Sequence, residues 1–453
     1  MPDSQPQPQP QPSDGAPADS TALVLCGARL TDGRTVDVRL SSGRIEAVGT
    51  AGSLAAHGTR LDLAGYLLLP APAEPHAHSD TALTALTPDG PGSYSPEDVQ
   101  RRATEAALLQ LGHGATALRS HVRIGDAQEL GRMAAVLQAR RSLRGLTDLT
   151  AVAVPRLLTG LAGADGLAML RDAVKMGAGV LGGCPDLDPD PAGYAEAVLG
   201  IAAEHGCPVD LHTDGDDPVR LARLAAMAGG LRPGVTLGPC AGLARLPAGT
   251  AARAAGQLAA AGVTVVCLPQ GGCGGVERTD VERVGADRRG GAGRRGTEPP
   301  GAESWGSGLP GAERGVAPVQ LLRAAGVRIA AGSGALRDVS NPVGRGDPLE
   351  AAYLLASQGG MRAADAYDAV SGAAREAMGL PEVRVEAGFP AELLAVRGER
   401  IEGVLSLAYS RIVIHRGRVV ARTSAVREYC DSAAAVALEL PRQGRSVLGN
   451  PGP

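Results

Sequence analysis

Tyr66-Leu67-Leu68-Leu69-Pro70-Ala71-Pro72-Ala73-Glu74-Pro75-His76-Ala77-His78-Ser79-Asp80 is the stretch on which the fold turns. The apolar run at 66–70 reads as a buried strand, and the residues after it mark the strand's end. Side chains on an extended chain alternate with period two, so His76 and His78 point to the same side. Two imidazoles on one side can share a metal ion. Imidazole suits zinc, iron, copper and nickel alike, so the pair leaves the metal open and needs further ligands from elsewhere. A pair merely hydrogen-bonded at a barrel rim is the competing reading.

Upstream lies a small β unit at residues 22–25, 36–40 and 45–48. Downstream, from about Glu97, Ala/Leu-rich helical stretches alternate with Gly turns and short apolar strands at 114–118, 149–154, 179–181, 209–211, 235–237, 263–268 and 327–330. With 67–69 these make eight strands, so the fold class expected is α/β, a (β/α)8 TIM barrel whose chemistry sits at the C-terminal strand ends. Strand patterns return at 393–396 and 411–414. Both chain ends are therefore expected to build a small β-sandwich module (21–70 and 382–432) beside a barrel at 71–381. A Pro/Gln tail at 1–20 reads as polyproline-like and disordered, an insertion at about 274–315 as too polar and Gly-rich to bury a core, and a tail at 433–453 as loosely attached.

Composition narrows the partners. The net charge is -4 and Lys175 is the lone lysine, which gives no electrostatic case for nucleic acid or an anionic membrane surface. No apolar run is long enough for a membrane span, and nothing at the start reads as a signal peptide. Seven Cys without a C-x-x-C pair argue for a reducing compartment, so a cytoplasmic protein acting on a small molecule is expected, with a homo-oligomer left open.

The residues after the strands carry a family resemblance. Glu74-Pro75-His76-Ala77-His78, Arg119-Ser120-His121-Val122, Val154-Pro155, Val209-Asp210-Leu211-His212-Thr213-Asp214, and Gly332 followed by Asn341-Pro342-Val343-Gly344 resemble the amidohydrolase superfamily, its cytosine deaminase-like branch in particular. The closing stretches at 387–394 and 412–420 resemble that family's returning β module. The resemblance implies one divalent metal, zinc or iron, held by His76, His78 and His212. It also implies hydrolysis of a C–N bond other than a peptide bond, of deaminase or cyclic amidase type.

Several positions depart from the family pattern, which reads as a degenerate active site. Gly215 stands where the proton-shuttling Glu belongs, and Cys240 where a strand-six His is usual. The metal-binding Asp position falls at Ser333 or Gly334, and Arg156 replaces the Gln that reads a pyrimidine edge. Cys240 is taken as a candidate fourth metal ligand, its alternative being a small buried core residue. Asp214 and Asp338 are the candidate catalytic carboxylates, and His121 and Arg156 the candidate substrate-binding residues. The alternative to an enzyme is a catalytically inactive barrel that binds a small molecule or a partner protein, and the metal is then not required.

Overall fold

The computed structural model describes residues 22–54, 58–85, 94–125, 130–271, 316–338, 340–407 and 410–425. The two tails and the insertion expected from the sequence lie outside the described residues. Eight strands form a parallel sheet in sequential order: β6 (Ala73–Ala77), β7 (Ala117–Ile124), β8 (Asp148–Pro155), β9 (Val180–Gly183), β10 (Val209–Thr213), β11 (Val235–Pro239), β12 (Thr264–Cys267) and β13 (Arg328–Ala331). Helices intervene, which makes this a (β/α)8 barrel. Between β13 and β6 the seam closes through a single parallel bridge, Ala77 to Gly334, with the Gly334 amide donating to the His76 carbonyl at 3.1 Å.

Local chemistry sets where several helices begin. The helices Pro96–Gly112, Pro191–His205, Pro218–Ala228 and Pro348–Ser357 each open on Pro and are preceded by Ser95, Asp190, Asp217 and Asp347, whose side chains accept from amides of the first turn. Proline loses nothing at that position, where its missing N–H has no helical partner, and a short oxygen-bearing side chain satisfies an amide that would otherwise be unpaired.

One expectation is corrected. The apolar run at 66–70 is a strand, β5 (Tyr66–Pro70), but not the first strand of the barrel. It pairs antiparallel with β14 (Leu393–Arg397) in a separate sheet. That sheet also holds β1 (Leu23–Arg29), β2 (Thr35–Ser41), β3 (Arg44–Thr50), β4 (Thr59–Asp62), β15 (Arg411–His415) and β16 (Arg418–Thr423). Pro70 and Pro72 cannot donate to a ladder, so the pairing stops there and the chain restarts as β6 in the barrel. The run is apolar throughout because it is buried on both faces: Leu67 and Leu69 join the barrel core, while Leu68 joins the module core with Leu25, Val38, Leu40, Ile45, Leu393 and Ile414. Among the described residues no helix is long and apolar enough to cross a membrane.

A buried ion pair ties the module to the barrel. Arg411 of β15 donates from both terminal nitrogens to Asp347, at 2.8 and 2.6 Å, and also to the His113 carbonyl at 2.6 Å. Burial opposes ionisation of Asp347, but the Arg411 guanidinium outweighs it and holds the carboxyl below its usual range. Asn caps helices as well as Asp does, so Asp347→Asn removes the charge and keeps the cap. The substitution leaves Arg411 buried without its partner, and a loss of about 3 kcal/mol is expected in thermal or denaturant unfolding. The folded-state pKa lies below the unfolded one, so the contribution is complete above the unfolded carboxyl value and fades as pH falls through the folded value. The gap in melting temperature between wild type and Asp347→Asn should therefore narrow in acid, and a pH-independent gap would contradict this account.

Candidate metal centre

Three barrel strands each send two side chains inward at i and i+2: Glu74 and His76 from β6, Arg119 and His121 from β7, and Asp210 and His212 from β10. Period two stacks them as a lower layer of charged groups beneath an upper layer of imidazoles. All six are buried, none more than 4 % exposed. His78, just past the end of β6, is partly exposed at the mouth.

The imidazoles form one cluster. Ring centroids of His76 and His121 are 4.0 Å apart, of His76 and His212 4.3 Å, and of His121 and His212 4.8 Å. His76 Nε2 and His212 Nε2 meet at 2.6 Å, so either one neutral ring donates to the other or both lone pairs aim at a common point. One nitrogen from each of His76, His121 and His212 lies within 4.8 Å of the other two. The ring of His78 is 5.1 Å from that of His76 and 5.3 Å from that of His212, but its nitrogens are not part of that set. His121, expected from the sequence as a substrate donor just past a strand, instead sits inside β7 among the nitrogen donors, because β7 runs on to Ile124.

Electrostatics keep three of these rings neutral, those of His76, His78 and His212. Burial, reinforced by the charge that neighbouring histidines would carry, holds His76 and His78 well below the usual imidazole range and His212 at about 3. Beneath them Asp210 stays ionised. Burial would raise its pKa, but His121, Arg119 and His212 outweigh burial and hold it at about 2. Its Oδ2 lies 3.2 Å from Arg119 Nη1 and 3.5 Å from His121 Nε2, and its Oδ1 lies 4.0 Å from His76 Nδ1.

The donor set fits a metal ion. His76 Nδ1, both ring nitrogens of His121, His212 Nδ1 and Asp210 Oδ1 are buried without a hydrogen-bond partner. Buried polar atoms are seldom left so, and neutral imidazoles supply the lone pairs that a divalent cation requires.

The remaining candidates lie elsewhere. Cys240 follows β11, fully buried in the hydrophobic core and outside the histidine set; burial first, then the neighbouring Cys267, pushes its thiol up. Asp214, one-third exposed, accepts from the Gly242 amide at 3.1 Å and pairs with Arg245, and these two partners hold its carboxylate to the turn after β11. Asp338 is a buried loop organiser, accepting from Thr81 Oγ1 at 2.9 Å and from the amides of Ser340 and Asn341 at 2.8 and 3.1 Å. Arg156 is exposed one residue beyond β8.

Just past β13 the Ser333 amide and hydroxyl both donate to Glu74, whose carboxyl is pushed up to about 7 by burial against the pull of those donors. A Cβ on Gly332 would press on Glu74 Oε1, so a larger residue there would have to move the carboxylate from its place on Ser333. Glu74, Arg119 and Asp210 were given no roles from the sequence, yet the signal was present: each stands two residues before a histidine on a strand.

The chain matches the group described as "Amidohydrolase family" over residues 93–421. The chain belongs to the amidohydrolase family. It is 27 % identical over 414 residues to a pterin deaminase of Rhizobium rhizogenes, covering 85 % of this chain and 88 % of that protein. Among solved structures it resembles N-isopropylammelide isopropylaminohydrolase of Burkholderia multivorans, with TM-score 0.71, 23 % identity, 90 % of this chain and all of that one. It also resembles 5-methylcytosine deaminase of Klebsiella pneumoniae, with TM-score 0.72, 22 % identity, 91 % of this chain and all of that one. The two structural likenesses bear on the fold, and the match to the amidohydrolase family begins after the His76-Ala77-His78 segment.

Cys240→Ala is expected to leave the metal content of the purified protein unchanged and to cost stability alone, since a buried core thiol behaves as a small apolar group. Loss of metal in that variant, read by elemental analysis, would restore Cys240 as a ligand.

Proposed function

We propose that this chain is a metal-dependent hydrolase that cleaves a C–N bond other than a peptide bond in a small molecule. The observation that carries the reading is the buried convergence of His76, His121 and His212 at the mouth of a barrel whose family performs such hydrolyses. Those three residues would hold one divalent metal, zinc or iron, with His78 beside them at the rim. When bound, such an ion lowers the pKa of its water and polarises the electrophile.

The chain's own residues do the rest. Burial keeps His76, His78 and His212 neutral and available as donors. Asp210 stands below them as a fixed negative charge that favours the ring orientations placing lone pairs toward a shared ion. The barrel wall excludes bulk water, so charges at the site act in a low dielectric. The pterin deaminase match, which runs nearly the length of both chains, supports a heterocycle with an exocyclic amino group as the substrate class. A cytoplasmic setting accords with seven cysteines scattered along the chain without a C-x-x-C pair.

One observation favours a second reading, a non-catalytic barrel that binds a small molecule or a partner protein. Gly215 occupies a left-handed conformation at φ +72° where the family's proton carrier belongs, and its neighbour Asp214 is held by Arg245. Among the described residues the three-histidine set contains no carboxylate.

Elemental analysis of protein purified without chelator tests the metal, and ammonia release from pterins, aminotriazines and cytosines tests the chemistry. Roughly one zinc or iron per chain, as a three-histidine site holds, should be lost in His76→Ala and His212→Ala. Metal together with ammonia release supports the hydrolase, metal without turnover on any of these compounds supports the binding reading, and absence of metal from the wild-type protein sinks the proposal.

A further inference from the structure

We propose that Arg119 is a positioning residue for the metal-binding nitrogens, acting through Asp210. This inference rests on the metal reading of the site. Arg119 heads the largest fully buried side chains of the described chain. Its Nη1 donates to Asp210 Oδ2 at 3.2 Å and to Thr236 Oγ1 at 3.2 Å, and its Nη2 donates to the Ala377 carbonyl at 2.9 Å. Thr236 donates in turn to the Val209 carbonyl at 3.3 Å. One guanidinium on β7 thus fixes a carboxylate on β10, a hydroxyl on β11 and the last carbonyl of the helix Gly372–Ala377.

Asp210 is the group through which that fixation reaches the site. It is the one carboxylate given within 4.0 Å of two of the three donor histidines, His76 through Oδ1 and His121 through Oδ2. Neither approach is a hydrogen bond, but a carboxylate this close to two ring nitrogens biases by its charge which nitrogen carries the proton, and the carboxylate must itself be held. Arg119 holds it. The pair is a poor device for stability alone, because a buried ion pair is often matched or bettered by apolar side chains of equal volume. A planar fork is needed for the two terminal nitrogens to reach acceptors on opposite sides; an ammonium on a flexible stem satisfies one side and leaves the carboxylate free to turn.

The test is the zinc dissociation constant of the apo-protein, by competition with a chromophoric chelator, alongside the melting temperature. Arg119→Lys is expected to weaken zinc binding by roughly 10- to 100-fold, the usual effect of disturbing a group that orients a ligand. Thr236→Val removes one bond and leaves the guanidinium on Asp210, so its zinc affinity should stay within about twofold of wild type. Asp210→Asn should weaken zinc as Arg119→Lys does, and the double variant should lose little more, because the two act as one unit. Should Arg119→Lys fail to fold, Asp210→Asn against Thr236→Val gives the same contrast. A wild-type zinc affinity in folded Arg119→Lys with a lowered melting temperature would overturn the proposal, as would full additivity in the double variant. If the wild-type protein itself binds no zinc or iron, the metal reading fails and this proposal with it. Tight wild-type binding with no response to Arg119→Lys refutes the Arg119 role alone.

Discussion

The alternation of side chains on a β-strand is the constraint from which the site follows. In a closed parallel barrel every second residue of a strand faces inward, so β6, β7 and β10 can each place one residue at the mouth and another a level below. The upper level is aromatic nitrogen and the lower level is charge. Neither level stands alone: imidazoles stripped of water need something to share their lone pairs, and a carboxylate as deep as Asp210 needs a cation. Arg119 meets the second need, and a metal ion would meet the first.

The rest of the architecture serves to keep these levels in register. The weakest point of the barrel is its seam, where β13 and β6 share a single bridge in place of a ladder. Glu74 reinforces that seam from the lower level by accepting from the Ser333 amide and hydroxyl and from the His76 amide. The strand that carries His76 is thereby tied to the loop that follows β13. Outside the barrel, β5 shares its alternate faces between two cores, and the Arg411–Asp347 pair fastens the returning sheet to a helix of the barrel. The short distance from Pro70 to Ala73 means that motion of the module would be felt by the strand bearing His76.

Much of this was legible in the sequence, and the misses have physical causes. Seven of the eight barrel strands fall where apolar runs and Gly turns place them, since a strand buried on both faces leaves a continuous apolar signature. The same signature misled at residues 66–70, because a strand caught between two cores looks identical to one inside a barrel. Two prolines at its end were the discriminating feature. His121 was read as lying past a strand because apolar content falls after Leu118, yet β7 continues through Arg119, Ser120 and His121 with polar groups satisfied inside the barrel. Charged residues in a barrel interior invert the usual pattern, and only the i, i+2 relation to a histidine betrays them. Asp214 and Asp338 were chosen as the nearest acids along the chain. In space Arg245 holds the first, and the second is used by its own loop. Nearness in sequence does not give direction.

Among the described residues the converging donors are three imidazoles with no carboxylate in the set, so the weight of the site falls on its nitrogens. The account therefore makes a claim about the donor atoms themselves. X-ray absorption spectroscopy of the zinc-loaded protein at the zinc edge tests it most directly. A first shell of nitrogen and oxygen scatterers at about 2.0–2.1 Å, with the outer-shell pattern of several imidazoles, is the predicted result; a sulfur scatterer at about 2.3 Å would place Cys240 on the metal and contradict the account.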